Sequence, residues 1–167
     1  VKVSSFVPNW HPYENFKSLY ACRKDLGGGV LFTETHEINM IIELFGLPKN
    51  WSHNFINLCN SNLDVADSCK SIFYYEKFLV NFDLSFFREP SMRSIVINLK
   101  NGYIKLDIDQ SNLEYKLNDE KQTLHFEIDN DYLFFHQALD FLKFDILKSK
   151  NDIKNELIFE RISKNLK

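Results

Sequence analysis

The sequence predicts an α+β domain, an open and mainly antiparallel β-sheet backed by helices. Two observations carry this reading. Between residues 51 and 129, short runs rich in Phe, Tyr, Ile and Val are separated by clusters of Asn, Asp, Gly and Pro, as in a meander of strands. On either side of that region the apolar residues recur at helical spacing instead. The gaps between the strand-like runs are too short for helical crossovers, so neighbouring strands are expected to run antiparallel.

Taken in order, Val1, Val3, Ser5 and Val7 alternate with Lys2, Ser4 and Phe6, a strand that leads into the turn-rich Pro8-Asn9-Trp10-His11-Pro12-Tyr13. A loop follows as far as Leu26. Over 30–45 one helix is expected, because Leu31, Thr35, Ile38, Ile42 and Phe45 fall on one stripe and Gly46 followed by Pro48 stops it. Strands are expected over 51–59, 69–76, 78–87, 93–99, 103–108, 113–117 and 123–128, with Asn101-Gly102 as a hairpin turn. A Phe- and Leu-rich helix over 132–147 is expected to lie on the sheet, and an amphipathic helix over 152–166 turns Ile153, Leu157, Ile162 and Leu166 inward.

Bulk properties narrow the function. A chain of 167 residues with 44% hydrophobic content can bury a core as one domain. Its net charge of −3 gives no basic footprint for nucleic acid or an anionic membrane surface. No apolar run has the length of a bilayer span, and three widely spaced cysteines, Cys22, Cys59 and Cys69, form no disulfide framework, which points to the cytoplasm. The strand-like start at Val1, without an initiator Met, points to a piece of something longer.

The most informative stretch is Gly27-Gly28-Gly29 running into the helix that carries His36. Glycines allow positive φ and close approach of backbone N–H groups, and a helix start adds donors and partial positive charge, so the loop is expected to seat a polar or anionic group. His36, with an imidazole pKa of about 6.5, can exchange a proton at neutral pH, and a nearby carboxylate would orient its ring; the alternative is a hydrogen-bonded or solvated histidine. Arg23 suits a bidentate acid, whereas Lys24 reads as a solvated loop charge. Trp10, His11 and Tyr13 read equally as a cluster that stacks on a sugar ring or as a loop packed by Pro8 and Pro12. Glu34 and Glu37, three apart on the helix, read as a solvated face, with acids that serve the His36 site as the alternative. His11 and His36 lack the spacing of a metal shell. Neither a nucleophile elbow nor a GxGxxG fingerprint is present.

The ordered segments 8–15, 20–31 (Tyr-Ala-Cys-Arg-Lys-Asp-Leu-Gly-Gly-Gly-Val-Leu), His36-Glu37-Ile38 and Leu44-Phe45-Gly46-Leu47-Pro48 together resemble the C-terminal domain of the Gfo/Idh/MocA oxidoreductases. Asp67, the Arg88 and Arg93 pair around a proline, and Gly102 fit more loosely. The resemblance implies a dihydrodipicolinate-reductase-like C-terminal fold, a sugar-like substrate, NAD or NADP held by an N-terminal Rossmann domain that is absent from this chain, no cofactor for the chain alone, and a homo-oligomer formed through the sheet. It implies His36 as the catalytic residue; Trp10, His11, Tyr13, Arg23, Gly28, Gly29 and Thr33 are the candidates to surround a substrate.

This chain departs from the family pattern at one point. An acidic residue usually stands about one turn before the histidine and another three after it, but Phe32 and Thr33 occupy the first place here and Asn39 the second. Two functions therefore stay open. One is the substrate domain of an oxidoreductase acting on a sugar, polyol or sugar-derived hydroxyl; the other is a non-catalytic carbohydrate-binding or dimerisation module derived from it.

Overall fold

The computed structural model describes residues 1–9, 11, 13–58, 62–127, 135 and 139. Two compact units divide the chain, Val1–Phe126 and Glu127–Lys167, and the sheet belongs to the first. Apart from Phe135 and Leu139, the helices expected over 132–147 and 152–166 lie outside the described residues.

Eight strands form one sheet: β1 (Lys2–Phe6), β2 (Asn50–Ile56), β3 (Ser68–Tyr74), β4 (Leu79–Ser85), β5 (Met92–Leu99), β6 (Gly102–Asp107), β7 (Asn112–Leu117) and β8 (Glu120–His125). Their order across the sheet is β2-β3-β4-β1-β5-β6-β7-β8. Every expected strand is present, with ends shifted by a few residues. The expected antiparallel pairing holds throughout except between β1 and β4, which run parallel with Val3 opposite Phe82. A parallel neighbour needs a long connection, and the chain between β1 and β4 supplies it. The first strand thereby separates the two halves of the meander and lies at the centre of the sheet.

The single helix expected over 30–45 is two: α1 (Val30–Thr33) and α2 (Thr35–Phe45), broken at Glu34, whose backbone sits at φ −87° and ψ 45°. Glu34 N–H closes α1 on the Val30 carbonyl at 2.9 Å. Gly46 ends α2 at φ 75°, its N–H bonded to the Ile42 carbonyl, as the Gly-x-Pro signal implies. Before α1, the segment read as a loop winds into three short 3-10 turns, Phe16–Ser18, Tyr20–Cys22 and Lys24–Leu26.

Both helices pack on one face of the sheet. Alternation brings Val3, Cys69, Phe73, Val80, Phe82 and Leu84 to that face, where all are buried, as are Val30, Leu31, Ile38 and Ile41 of the helices. Phe73 and Phe82 meet edge to face with centroids 4.8 Å apart, and each large apolar side chain buried here contributes roughly 1.5–3 kcal/mol. Ser5 and Arg93 are opposite each other in the β1–β5 register and point the same way as Val3. The opposite face, which would be expected to be buried in a dimer if it were apolar and uncovered, carries charge on β6 and β7: Lys105 pairs in register with Glu114, and its Nζ lies 3.7 Å from Asp107.

The β5–β6 hairpin turns one residue earlier than expected. Leu99 pairs with Gly102, so Lys100 and Asn101 form the turn and Gly102 is the first residue of β6. Gly102 is required there for a different reason: a Cβ would stand 1.8 Å from the Lys116 carbonyl oxygen. Gly102→Ala is expected to force β6 and β7 apart and lower stability by about 1–3 kcal/mol, measured as a lower urea midpoint with an unchanged slope.

Candidate functional site

The glycine run does not form an anion cradle. Gly27 N–H donates to the Lys24 carbonyl, Gly28 N–H to Arg23, Gly29 N–H to Ala21 at 2.7 Å, and Val30 N–H to Ala66. All four donors are satisfied by the backbone, which leaves none to hold a phosphate or carboxylate, and α1 is a single turn. The glycines have another task. A Cβ on Gly28 would lie 2.3 Å from the Tyr20 carbonyl oxygen, and Gly29 takes φ 121°, a region closed to other residues. The loop thus presses onto the 3-10 turn at Tyr20–Cys22 and fixes where α1 begins.

That placement opens a cleft of about 150 Å³ lined by Ser5, Val7, Tyr20, Thr33, Glu34, His36, Glu37 and Arg93. His36 is exposed at its wall. Thr33 lines it too, with its hydroxyl donating to the Gly29 carbonyl at 3.0 Å. Of the residues expected around a substrate, these two meet in this cleft. The others do not join them. His11 lines a separate, mainly apolar cavity with Phe16, Cys22 and Phe86, its Nδ1 2.9 Å from Glu14 Oε1. Tyr13 is 99% exposed, and Arg23 forms a two-point pair with Asp25 on the surface. Trp10 lies outside the described residues, as does Pro12. Gly28 and Gly29 shape the cleft from behind, through the backbone.

The two carboxyls read as a solvated helix face are buried instead: Glu34 is 5% exposed and Glu37 2%. Arg93 donates from Nε at 2.9 Å and Nη2 at 2.6 Å to the same oxygen, Glu37 Oε1. The Ser5 hydroxyl is aimed at that oxygen as well, at 3.4 Å. Both Glu34 oxygens are buried without a hydrogen-bond partner among the described residues. Burial pushes the Glu34 carboxyl up to about 8; nearby Ser5 and Arg93 oppose the shift, and the Glu37 charge adds to it. A periodic signal for Glu37 exists in the sequence, since Glu37 and Ile41 are four apart on the inward face of α2. Likewise Arg93 alternates with Ile95 and Ile97 on β5, which marks its face as inward.

Thiolate chemistry has no support among the described residues. Burial pushes the Cys69 thiol up to about 11, and Cys22 is raised by burial and then by Asp67. Both are free and buried.

Solved structures share this architecture. Its fold is that of the C-terminal domain of Gfo/Idh/MocA-type oxidoreductases. A levoglucosan dehydrogenase in complex with NADH matches with a TM-score of 0.70 at 14% identity, over 85% of this chain and 47% of that one. An inositol dehydrogenase homologue from Azotobacter vinelandii, complexed with NAD+, matches at 0.62 and 14% identity over 77% of this chain and 37% of its own. A UDP-N-acetylglucosamine 3-dehydrogenase from Acidithiobacillus ferrooxidans matches at 0.60 and 14% identity, over 77% and 39%. The chain thus spans less than half the length of these relatives. No family model and no curated protein matches the sequence.

Two outcomes follow from the buried charges. Arg93→Met strands Glu37 inside the protein and is expected to cost about 2–4 kcal/mol, the lower part of the range for a broken buried pair because Arg93 is 32% exposed; adding Glu37→Met should recover most of it in urea unfolding. Glu34 binds its proton more tightly folded than unfolded, so the folded state holds the extra proton between about 4.5 and 8 and stability falls as pH rises through that window. Thermal melts of the wild type should show that fall, and Glu34→Gln should flatten it.

Proposed function

We propose that this chain is the substrate-binding domain of an NAD(P)-dependent oxidoreductase acting on a sugar, polyol or sugar-derived hydroxyl. The observation that carries the reading is the cleft that gathers His36, Thr33, Glu34, Glu37 and Arg93 in one wall. The relatives with this fold include proteins solved with NAD+, NADH and levoglucosan, which supports the reaction class.

Oxidising an alcohol takes a hydride from carbon and a proton from oxygen. A nicotinamide supplies the hydride acceptor when bound, but the glycine loop does not fit its pyrophosphate, because the loop's amides are already paired to backbone carbonyls. The nucleotide therefore belongs to another domain of the parent protein. This chain's share is the hydroxyl and its proton. His36, exposed in the cleft, takes or returns the proton, while Thr33 and the acids at its base hold the ligand's other oxygens. In this reading Glu34 and Glu37 stand in for the acids missing at Phe32 or Thr33 and at Asn39, which favours a catalytic domain over a non-catalytic binding module.

In the intact protein, His36→Ala is expected to lower dehydrogenase turnover by about 10²–10⁴-fold, the usual contribution of a positioned acid or base. Unchanged turnover would remove His36 from the mechanism. Calorimetry on the isolated chain is expected to detect neither NAD nor NADP; heat of binding from either would contradict the division of labour.

A further inference from the structure

Two carboxyls and one cation share the cleft, and they are unequal. Arg93 donates from Nε and Nη2 to Glu37, and that pair is neutral as a unit. Glu34 is left with no cation of its own, 5% exposed, and with both oxygens unpartnered among the described residues. An isolated buried carboxylate is far costlier than a neutral carboxylic acid in the same place. A protonated carboxyl also does what the carboxylate cannot, because it donates a hydrogen bond.

We propose that Glu34 acts as a neutral hydrogen-bond donor to a ligand oxygen at the base of the cleft, and so makes the site selective for uncharged hydroxylic ligands over anionic ones. This rests on the reading of the cleft as a ligand site and narrows its substrate class. An incoming carboxylate or phosphate meets no unpaired cation on Arg93, and it raises the cost of any charge on Glu34. An uncharged polyol accepts from the acid and disturbs neither. The groups around Glu34 are Ser5 from β1, Cys69 from β3, Arg93 from β5, His36 and Glu37 from α2, and Tyr20 from the 3-10 turn. Of these, Glu37 and Cys69 add no compensating positive charge; from the strand side Ser5 and then Arg93 favour ionisation of Glu34, against the larger effect of burial.

The site therefore weakens as pH rises through the Glu34 titration, near 8. Ligand-observed NMR titrations of the 167-residue chain with myo-inositol and with glucuronate, at pH 7 and pH 9, test this. The expected result is a roughly tenfold loss of myo-inositol affinity between the two pH values, and glucuronate binding at least about tenfold weaker than myo-inositol at pH 7. Glu34→Gln, which keeps a donor but cannot ionise, should bind myo-inositol without that pH dependence, and Glu34→Ala should bind it more weakly at pH 7. Equal or tighter binding of glucuronate, or the same pH dependence in Glu34→Gln, overturns the proposal. The ¹³C carboxyl resonance of Glu34 gives a readout that needs no ligand. Titration in the ordinary glutamate range sinks the role of Glu34 whatever binds, whereas titration near 8 with neither probe bound overturns the ligand-site reading itself and this role with it.

Discussion

Arg93 and Glu37 connect β5 to α2 across 56 residues of sequence, and the guanidinium places two donors on a single carboxylate oxygen. Much of the site depends on that contact. It holds α2 at a fixed height above the centre of the sheet, beside Ser5 of β1, which faces Arg93 in register. It also engages Arg93, the one arginine or lysine lining the cleft among the described residues, and this bears on the state of the second acid. Had Arg93 been shared between both carboxyls, the cleft would carry a net negative charge; because it is not, Glu34 is left to hold its proton.

The glycine loop and the pair act from opposite ends of the same helical segment. Backbone bonds from Gly28 and Gly29 to the carbonyls of Arg23 and Ala21 anchor the start of α1 against the 3-10 turn, and Arg93 anchors the first turn of α2 on the sheet. Between these fixed points lies the break at Glu34. A site clamped on both sides by backbone and by a buried ion pair keeps its geometry without a ligand, which is the condition for precise placement of reacting groups.

The strands were legible in the sequence because each is a short alternating run ended by turn residues, and alternation survives whatever the topology. The parallel placement of β1 beside β4 was not legible, since local pattern carries no record of which distant strand becomes a neighbour. Of the residues singled out in the sequence, His36 and Thr33 line the same cleft. The loop amides misled, because a glycine run signals backbone freedom and leaves open whether its donors face a ligand or the chain itself. Glu34 and Glu37 were misread for a related reason: a charged pair three apart on a helix is usually solvated, and only the partner on β5, far away in sequence, makes burial of one of them affordable.

The break between α1 and α2 explains how the acid can stand at a position the family motif does not use. In a continuous α-helix, residues two apart project about 200° from each other, so Glu34 and His36 would face opposite sides. Thr33 and Glu37, four apart, would share a face without help. The interruption at Glu34, with ψ at 45°, changes the direction of the chain at that residue and brings Thr33, Glu34, His36 and Glu37 to one cleft. Thr33 contributes to the interruption, since its hydroxyl and its N–H both bond to the Gly29 carbonyl and close the first turn on itself. An acid displaced in sequence from the motif position is thus compatible with an acid present in the site, provided the helix is broken at the acid itself. A single straight helix over 30–45 would have separated the two groups whose proximity gives the cleft its chemistry.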